Sequence, residues 1–450
     1  MGQQQRKFDR AVGPAVYKHA PKGLTGTSAN GRKVRHALGE HGMPHVGSLI
    51  ADTYRVLGPL DEGGMGSVLL AKDERLQREV AIKLVHPSLL ATANVRARFL
   101  VEARAMARVR HENVVEIFAF GELNQTPYFV MEYVPGVNLA HWLDDIALSG
   151  SHPPIDTALS YLDQLCRGVE AIHRSGSVHG DLKPSNILLG AAGRVAIADM
   201  GLSRMLDRNE RKASEHPMAG TPAYMAPEFA RTDLTAELIR RGDVFALGVL
   251  AFEMLTGEPP WDIESTADML RVHASKPTPI ASQVRPEITS VFDEPLLAAL
   301  QADPQRRTAS ADAFRRALLS AREELTKNYS SVRIVVADDD RDFRALARET
   351  LRFGFPGARI DVVRDGDTAL RACDAQEPAL VLIDLDMPGL NGVELTAALR
   401  ARYAMPILVV TASGSAPDWR LLQALGASGF LVKPIDPYAL ITLARRAIDS

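Results

Sequence analysis

The chain changes its residue pattern twice, and that constrains the fold more than any other feature. From Tyr54 to about Val134, short alternating apolar segments are punctuated by glycine, as strands and tight turns require; beyond that, long helical periods take over. At Val332 a third pattern begins. Apolar runs at residues 332–337, 379–383, 406–410 and 429–432 alternate with helical stretches such as 342–353 and 392–401. This alternation predicts a parallel, doubly wound α/β sheet. The expected organisation is therefore a β-rich part, an α-rich part, and an α/β domain over residues 332–450. Residues 310–328 are charged, helix-favouring and free of Gly and Pro, so residues 320–331 are predicted to be a helical linker.

A length of 450 residues fits two or three domains. With 52 basic against 55 acidic side chains, no positive excess exists to drive nucleic-acid binding. The longest apolar runs, such as residues 244–255, fall short of the roughly 20 residues that cross a bilayer, so no membrane span is expected. Cys166 and Cys373 lie far apart without ligand-like partners, which points to a reducing, cytoplasmic setting. Residues 1–48 carry eight basic side chains against Asp9 and Glu40 without sustained periodicity, and are expected to form a disordered, solvated leader, a docking arm being the other reading.

Residues 60–68 read Leu-Asp-Glu-Gly-Gly-Met-Gly-Ser-Val, and residues 80–83 read Val-Ala-Ile-Lys. A glycine-rich hairpin lets backbone amides approach phosphates and a nearby lysine can neutralise them, although either feature alone also fits a plain turn and a solvated strand end. Asn94 can cap a helix whose apolar stripe includes Val95, Phe99, Met106 and Val109, and Glu102 falls in that stripe. A carboxylate there either pairs with Lys83 or stays at an exposed rim.

Four further stretches decide the matter. Residues 178–188 read Val-His-Gly-Asp-Leu-Lys-Pro-Ser-Asn-Ile-Leu, 197–202 Ile-Ala-Asp-Met-Gly-Leu, 220–228 Gly-Thr-Pro-Ala-Tyr-Met-Ala-Pro-Glu, and 241–248 Arg-Gly-Asp-Val-Phe-Ala-Leu-Gly. In order and spacing they make residues 54–319 resemble the eukaryotic-type Ser/Thr protein kinases. The resemblance implies a bilobal α+β fold over residues 49–319, with an N-lobe at about 54–134 and a C-lobe at about 135–319. By the same resemblance Asp181 orients the substrate hydroxyl and accepts its proton, Lys183 meets the transferred phosphate, and Asn186 and Asp199 hold Mg²⁺. Lys83 and Glu102 would form an ion pair. ATP would lie against Leu60, Gly63, Gly64, Gly66, Val68, Ala81, Lys83, Met131 as gatekeeper, Glu132, Val134 and Leu188. Ser214, Thr221 and Glu228 mark the activation segment, Thr221 supporting Lys183 and Asp181 and Glu228 pairing with Arg307. Three positions depart from the family pattern. Asp61 replaces the first loop glycine, which implies weaker ATP binding; Met200 replaces the Phe after Asp199; and Gly180 replaces the Arg that reads an activation-loop phosphate.

In the α/β part, strand ends should carry function, because open α/β sheets bind ligands there. Asp338 and Asp339, Asp384, Thr411 and Lys433 all fall at such ends. Clustered carboxylates repel one another unless a hard cation joins them, and Mg²⁺ prefers oxygen ligands. This edge resembles the receiver domain of two-component response regulators, a flavodoxin-like fold. The resemblance makes Asp384 both phosphoacceptor and metal ligand, with Asp338, Asp339 and a backbone carbonyl near Asp386 as the other ligands. Lys433 would neutralise phosphoryl oxygens, with Thr411 and Phe430 as the switch pair.

Together these readings imply a bacterial signalling enzyme, an ATP- and Mg²⁺-dependent Ser/Thr kinase governed by aspartyl phosphorylation of its own receiver. Its partners would be an upstream histidine kinase and a protein substrate, with a homodimer possible through the receiver's fourth and fifth helical faces. The alternative is a kinase-like scaffold whose partner binding the receiver switches.

Overall fold

A computed structural model of the chain describes residues 44–63, 66–86, 103–104, 106–124, 126–199, 222–230, 234–411 and 423–448. The expectations for the leader up to residue 43 and for Gly64, Asn94, Glu102, Met200, Ser214 and Thr221 lie outside those residues.

The first lobe is an antiparallel sheet in the order β1-β2-β3-β4-β6-β5. Its strands are β1 (Leu49–Ile50), β2 (Tyr54–Gly63), β3 (Gly66–Asp73), β4 (Arg78–Val85), β5 (Ile117–Leu123) and β6 (Thr126–Glu132). Along β3 buried and half-buried residues alternate strictly, as a sheet with one covered face demands. Gly66, at φ +138°, tolerates no side chain, since a Cβ would lie 1.9 Å from the Leu84 carbonyl oxygen. One boundary differs from expectation. Gly47 and Ser48, placed at the end of the leader, hydrogen-bond with Val56 of β2, because backbone pairing needs no apolar pattern in the sequence.

The second lobe opens with β7 (Gly136–Asn138), α1 (Leu139–Leu148) and α2 (Ile155–Arg174). Next come β8 (Ile187–Gly190) and β9 (Val195–Ile197), which complete a small sheet with β7. Helix α3 (Ala236–Thr256) is capped by the Thr235 side chain and ends at Gly257 in the left-handed region. Between Gly242 and Thr256 every α3 residue except Glu253 is buried, as befits a helix apolar on all sides. Around it lie α4 (Thr266–Ser275), α5 (Ala281–Val284) and α6 (Asp293–Ala299). Arg307 donates to both carboxylate oxygens of Glu228, at 2.6 and 3.0 Å, and to the Arg241 carbonyl, at 2.7 Å. The Glu228–Arg307 pair expected from the resemblance is thus present and buried.

Helix α7 (Ala311–Tyr329) starts at the Ser310 cap and buries Phe314, Leu318, Ala321, Leu325 and Tyr329 along one stripe. It runs through position 320 without interruption, so the expected linker is the second half of a helix that begins on the kinase lobe. Its outer face is tied to α2 by Arg315–Asp163 at 3.2 Å and Arg322–Asp156 at 2.9 Å. Its last turn reaches the α/β domain, where the Tyr329 ring meets Phe355 edge-on at 4.9 Å.

That domain has a parallel five-stranded sheet in the order β11-β10-β12-β13-β14, wrapped by helices. The elements are β10 (Arg333–Ala337), α8 (Arg341–Gly354), β11 (Arg359–Val363), α9 (Gly366–Ala375), β12 (Leu380–Asp384), α10 (Gly392–Arg400), β13 (Ile407–Thr411), β14 (Gly429–Val432) and α11 (Pro437–Ile448). Period-2 alternation divides the sheet. Val335, Val381 and Val409 face a core of their own, whereas Ile334, Leu382 and Val410 join one continuous apolar cluster with α7 and the kinase lobe.

Arg307→Ala would leave the Glu228 carboxylate buried without its partner, and should cost about 3–5 kcal/mol, read as a lower urea midpoint at unchanged m-value.

Candidate active site and phosphoacceptor edge

The cleft between the lobes is assembled from strand registers. Val68 faces Lys83 across β3 and β4, and Ala81 faces Met131 across β4 and β6. Leu60 lies in a register irregularity opposite β3, and Gly63 pairs with Gly66. Val134 is buried with Val115 and Ala196, flanked by Met131 and Leu188. Lys83, 5% exposed, brings its Nζ 2.6 Å from Asp199 Oδ1. A small cavity behind this pair is lined by Met106, Phe129, Met131 and Ile197. Asp199 holds φ +59°, a left-handed conformation that a non-glycine residue keeps only where its surroundings impose it.

The loop that carries Asp181, Lys183 and Asn186 is drawn together by its own polar groups. Lys183 Nζ lies 2.9 Å from Asp181 Oδ2, and Asn186 Nδ2 donates to the Asp181 carbonyl at 2.8 Å and to Oδ2 at 3.3 Å. Beneath the loop, Asp243 of α3 accepts the backbone N–H of His179 at 2.9 Å and that of Gly180 at 2.7 Å, and bonds His173 Nε2 at 2.8 Å. Burial alone would raise the Asp243 carboxyl, but the hydrogen bond and charge of His173, the charge of His179 and the Gly180 N–H hold it below the ordinary carboxylate range. Residues 241–248 contain Asp243, yet nothing in that stretch alone assigns it to the loop; His173, 70 residues away, carries no local signal.

Two departures acquire a physical reading. Gly180 sits at φ +75°, where glycine is unstrained. Asp61 is exposed on β2 and accepts the Glu62 N–H at 2.9 Å. Glu132, the last residue of β6, turns its carboxylate to Arg194, which takes both oxygens and also donates to the Glu112 carbonyl at 2.9 Å. Its side chain therefore ties the lobes together, a role the sequence reading did not assign. Farther along, Tyr224 Oη donates to Glu253 Oε2 at 2.7 Å. Burial, helped by Asp144 and opposed by the Tyr224 bond, pushes the Glu253 carboxyl up to about 7.

At the carboxyl edge of the parallel sheet, carboxylate oxygens of Asp338, Asp339 and Asp384 lie within 4.8 Å of one another. Asp338 and Asp384 are buried and Asp339 is exposed. Lys433 Nζ reaches Asp338 Oδ2 at 2.8 Å and Asp384 Oδ2 at 2.9 Å, and stands 4.5 Å from the Phe343 ring centroid. Burial lowers the Lys433 ammonium, but the two carboxylates outweigh it and raise the group above its ordinary value. The Thr411 carbonyl accepts the Lys433 N–H at 2.9 Å; Thr411 is buried and Phe430 is 36% exposed. An all-oxygen trio with one open carboxylate is a donor set that suits a hard divalent cation. The contribution of Phe343, 90 residues before Lys433, carries no local signal in the sequence.

Comparison with known proteins agrees with this geometry. Residues 54–319 match the protein kinase domain and residues 334–445 the response regulator receiver domain. The chain belongs to the protein kinase family and carries a receiver domain after the kinase domain. It is 36% identical over 276 residues to the serine/threonine-protein kinase Pkn1 of Myxococcus xanthus, a match covering 60% of this chain and 38% of that one. Against the serine/threonine-protein kinase PrkC of Bacillus subtilis it is 27% identical over 402 residues, or 86% of this chain and 58% of that one. The chain thus spans less than two thirds of the length of either relative. Among solved structures, the kinase domain of Mycobacterium tuberculosis PknI superposes with a TM-score of 0.50 at 26% identity, covering 62% of this chain and 100% of that one.

Asp243→Ala would strip two buried N–H donors of their acceptor; we expect a stability loss of about 2–5 kcal/mol in urea titration and, from loop misplacement, a kcat about 10²-fold lower. Glu253 gives a pH test. Because its folded-state carboxyl is raised to about 7, its contribution to stability is complete below about pH 4.5 and is lost as pH rises through 7. Glu253→Gln should abolish that slope, worth at most about 3 kcal/mol, in melting curves taken across the window.

Proposed function

We propose that this chain is an ATP-dependent Ser/Thr protein kinase of the bacterial type, with output set by phosphorylation of its own receiver. The carrying observation is the catalytic-loop geometry: Asp181 held between Lys183 and Asn186, and Lys83 engaged with Asp199. Asp181 would accept the proton of the substrate hydroxyl as its oxygen forms the new bond to phosphorus and the bond to ADP breaks. Lys183 and Lys83 would hold phosphate charge. Leu60, Gly63, Gly64, Gly66, Val68, Ala81, Met131, Val134 and Leu188, with the backbone at Glu132, would enclose the nucleotide. Asn186 and Asp199 fit a magnesium ion as oxygen donors, which would neutralise charge on the transferred group. Glu102 would brace Lys83. Ser214 and Thr221 fall in the activation segment, but Gly180 offers no cation to pair a phosphate there, so loop phosphorylation would not be the switch.

In the receiver, an Asp384 oxygen would form the new bond to phosphorus while the donor's phosphorus–oxygen or phosphorus–nitrogen bond breaks. Asp338, Asp339 and Asp384 would hold the magnesium ion, Lys433 would take phosphoryl oxygens, and Thr411 and Phe430 would register the change. A sensor histidine kinase fits as donor and a Ser/Thr-bearing protein as substrate. Among the described residues no helix is long and apolar enough to cross a membrane. Cys166 and Cys373 are both buried, their thiols pushed up chiefly by burial, which suits a cytoplasmic setting.

The test is radiolabelled phosphate transfer to a basic protein substrate, with and without acetyl phosphate. Asp181→Asn should lower the rate about 10²- to 10⁴-fold, and Asp384→Ala should make the rate blind to the donor. Equal labelling by wild type and Asp181→Asn would refute catalysis and favour a scaffold.

A further inference from the structure

The receiver meets the kinase lobe at the end of its sheet opposite the carboxylates. Helices α8 and α11 run antiparallel to the strands they cover, so their C-termini lie at the strands' N-terminal ends, away from Asp384. There Arg445 of α11, 8% exposed, donates Nη1 to the carbonyls of Glu287 and, at 3.3 Å, Pro286, and Nη2 to that of Gly354 at 2.8 Å. One turn earlier, Thr442 Oγ1 donates to Glu287 Oε1 at 3.3 Å. The other Glu287 carboxylate oxygen stands 3.4 Å from Arg285 Nε. Arg285, 1% exposed, donates Nη1 to the carbonyls of Leu255 at 2.6 Å and Pro153 at 2.8 Å. Leu255 is the penultimate residue of α3, the helix that carries Asp243 beneath the catalytic loop.

A polar strand of this kind in an apolar seam must be desolvated, and a leucine contact would have closed the seam more simply. What the strand adds is register. Two Arg445 nitrogens on three carbonyls are satisfied in one seating of α11 and lose their partners in discrete steps when α11 shifts. The seam has little room to adapt: a Cβ on Gly354 would meet Ile441 at 2.8 Å, and one on Gly357 would meet the Thr326 carbonyl of α7 at 2.6 Å. At its other end, α11 begins four residues after Lys433, the group that bridges Asp338 and Asp384. A phosphoryl group on Asp384 changes what Lys433 must neutralise and so bears directly on the seating of α11.

We propose that the seam formed by Arg445, Thr442, Glu287 and Arg285 is the docking surface through which the receiver acts on the kinase, coupling the phosphorylation state of Asp384 to the α3 end that holds the catalytic loop. This rests on the reading above that the receiver governs the kinase. Coupling requires the two receiver states to contact the lobe with different free energy, and the seam is where that difference would be expressed.

The full-length chain is assayed for substrate phosphorylation with and without acetyl phosphate and Mg²⁺, with acid-stable and acid-labile label counted separately. In wild type the rate should change by about 5-fold or more when Asp384 is loaded. Arg445→Ala should load Asp384 as well as wild type yet bring the ratio of rates to within about 2-fold of unity, and Thr442→Val should give an intermediate ratio. A wild-type ratio with Arg445→Ala overturns the seam and leaves receiver control standing. A ratio of unity in loaded wild type overturns receiver control itself. Should Arg445→Ala not fold, Glu287→Gln, which keeps the Thr442 contact but loses the charge facing Arg285, decides: a reduced ratio supports the seam and an unchanged one overturns it.

Discussion

Helix α3 is the element on which the rest depends. At its first turns Asp243 gathers the amides of His179 and Gly180, and so fixes the loop that carries Asp181, Lys183 and Asn186. At its last turn the Leu255 carbonyl receives the buried Arg285. A buried carboxylate is tolerable only because each bond it needs is supplied, and the same bonds leave the loop little freedom. The placement of that loop follows from a helix buried along most of its length with one fully buried carboxylate, Asp243, beneath it.

The second dependence runs through α7. It is tied to the kinase lobe along most of its length by the Arg315 and Arg322 ion pairs, and its last turn packs Tyr329 on Phe355 of the receiver. One face of the receiver sheet then continues the apolar cluster of the lobe, whereas the other face closes a core of its own. The receiver is thereby fixed to the kinase lobe through α7, with Arg445 and Thr442 of α11 bonded to Pro286 and Glu287 of that lobe.

Much of this was legible in the residues. Motif order placed Asp181, Asn186 and Asp199, strand ends placed Asp338, Asp384, Thr411 and Lys433, and the alternation beyond Val332 foretold the parallel sheet. What was illegible has a common cause. Asp243, His173, Arg194 and Arg445 act across sequence separations that leave no local period. Strand β11 escaped because it lies at the sheet edge, where Arg359 and Asp361 interrupt the apolar run. The seam at Glu287 could not be foreseen either, since its partners come from three helices and a loop whose meeting is a property of the packed chain.

Through α7 and the shared apolar cluster, kinase lobe and receiver should form one cooperative body. Native-state hydrogen exchange across a urea series tests it most directly. The slowest amides of α3 and of β12 should open with the same free energy and the same dependence on urea. If β12 opens at a clearly lower free energy with a shallower urea dependence while α3 stays protected, the two domains unfold independently and do not form one cooperative body.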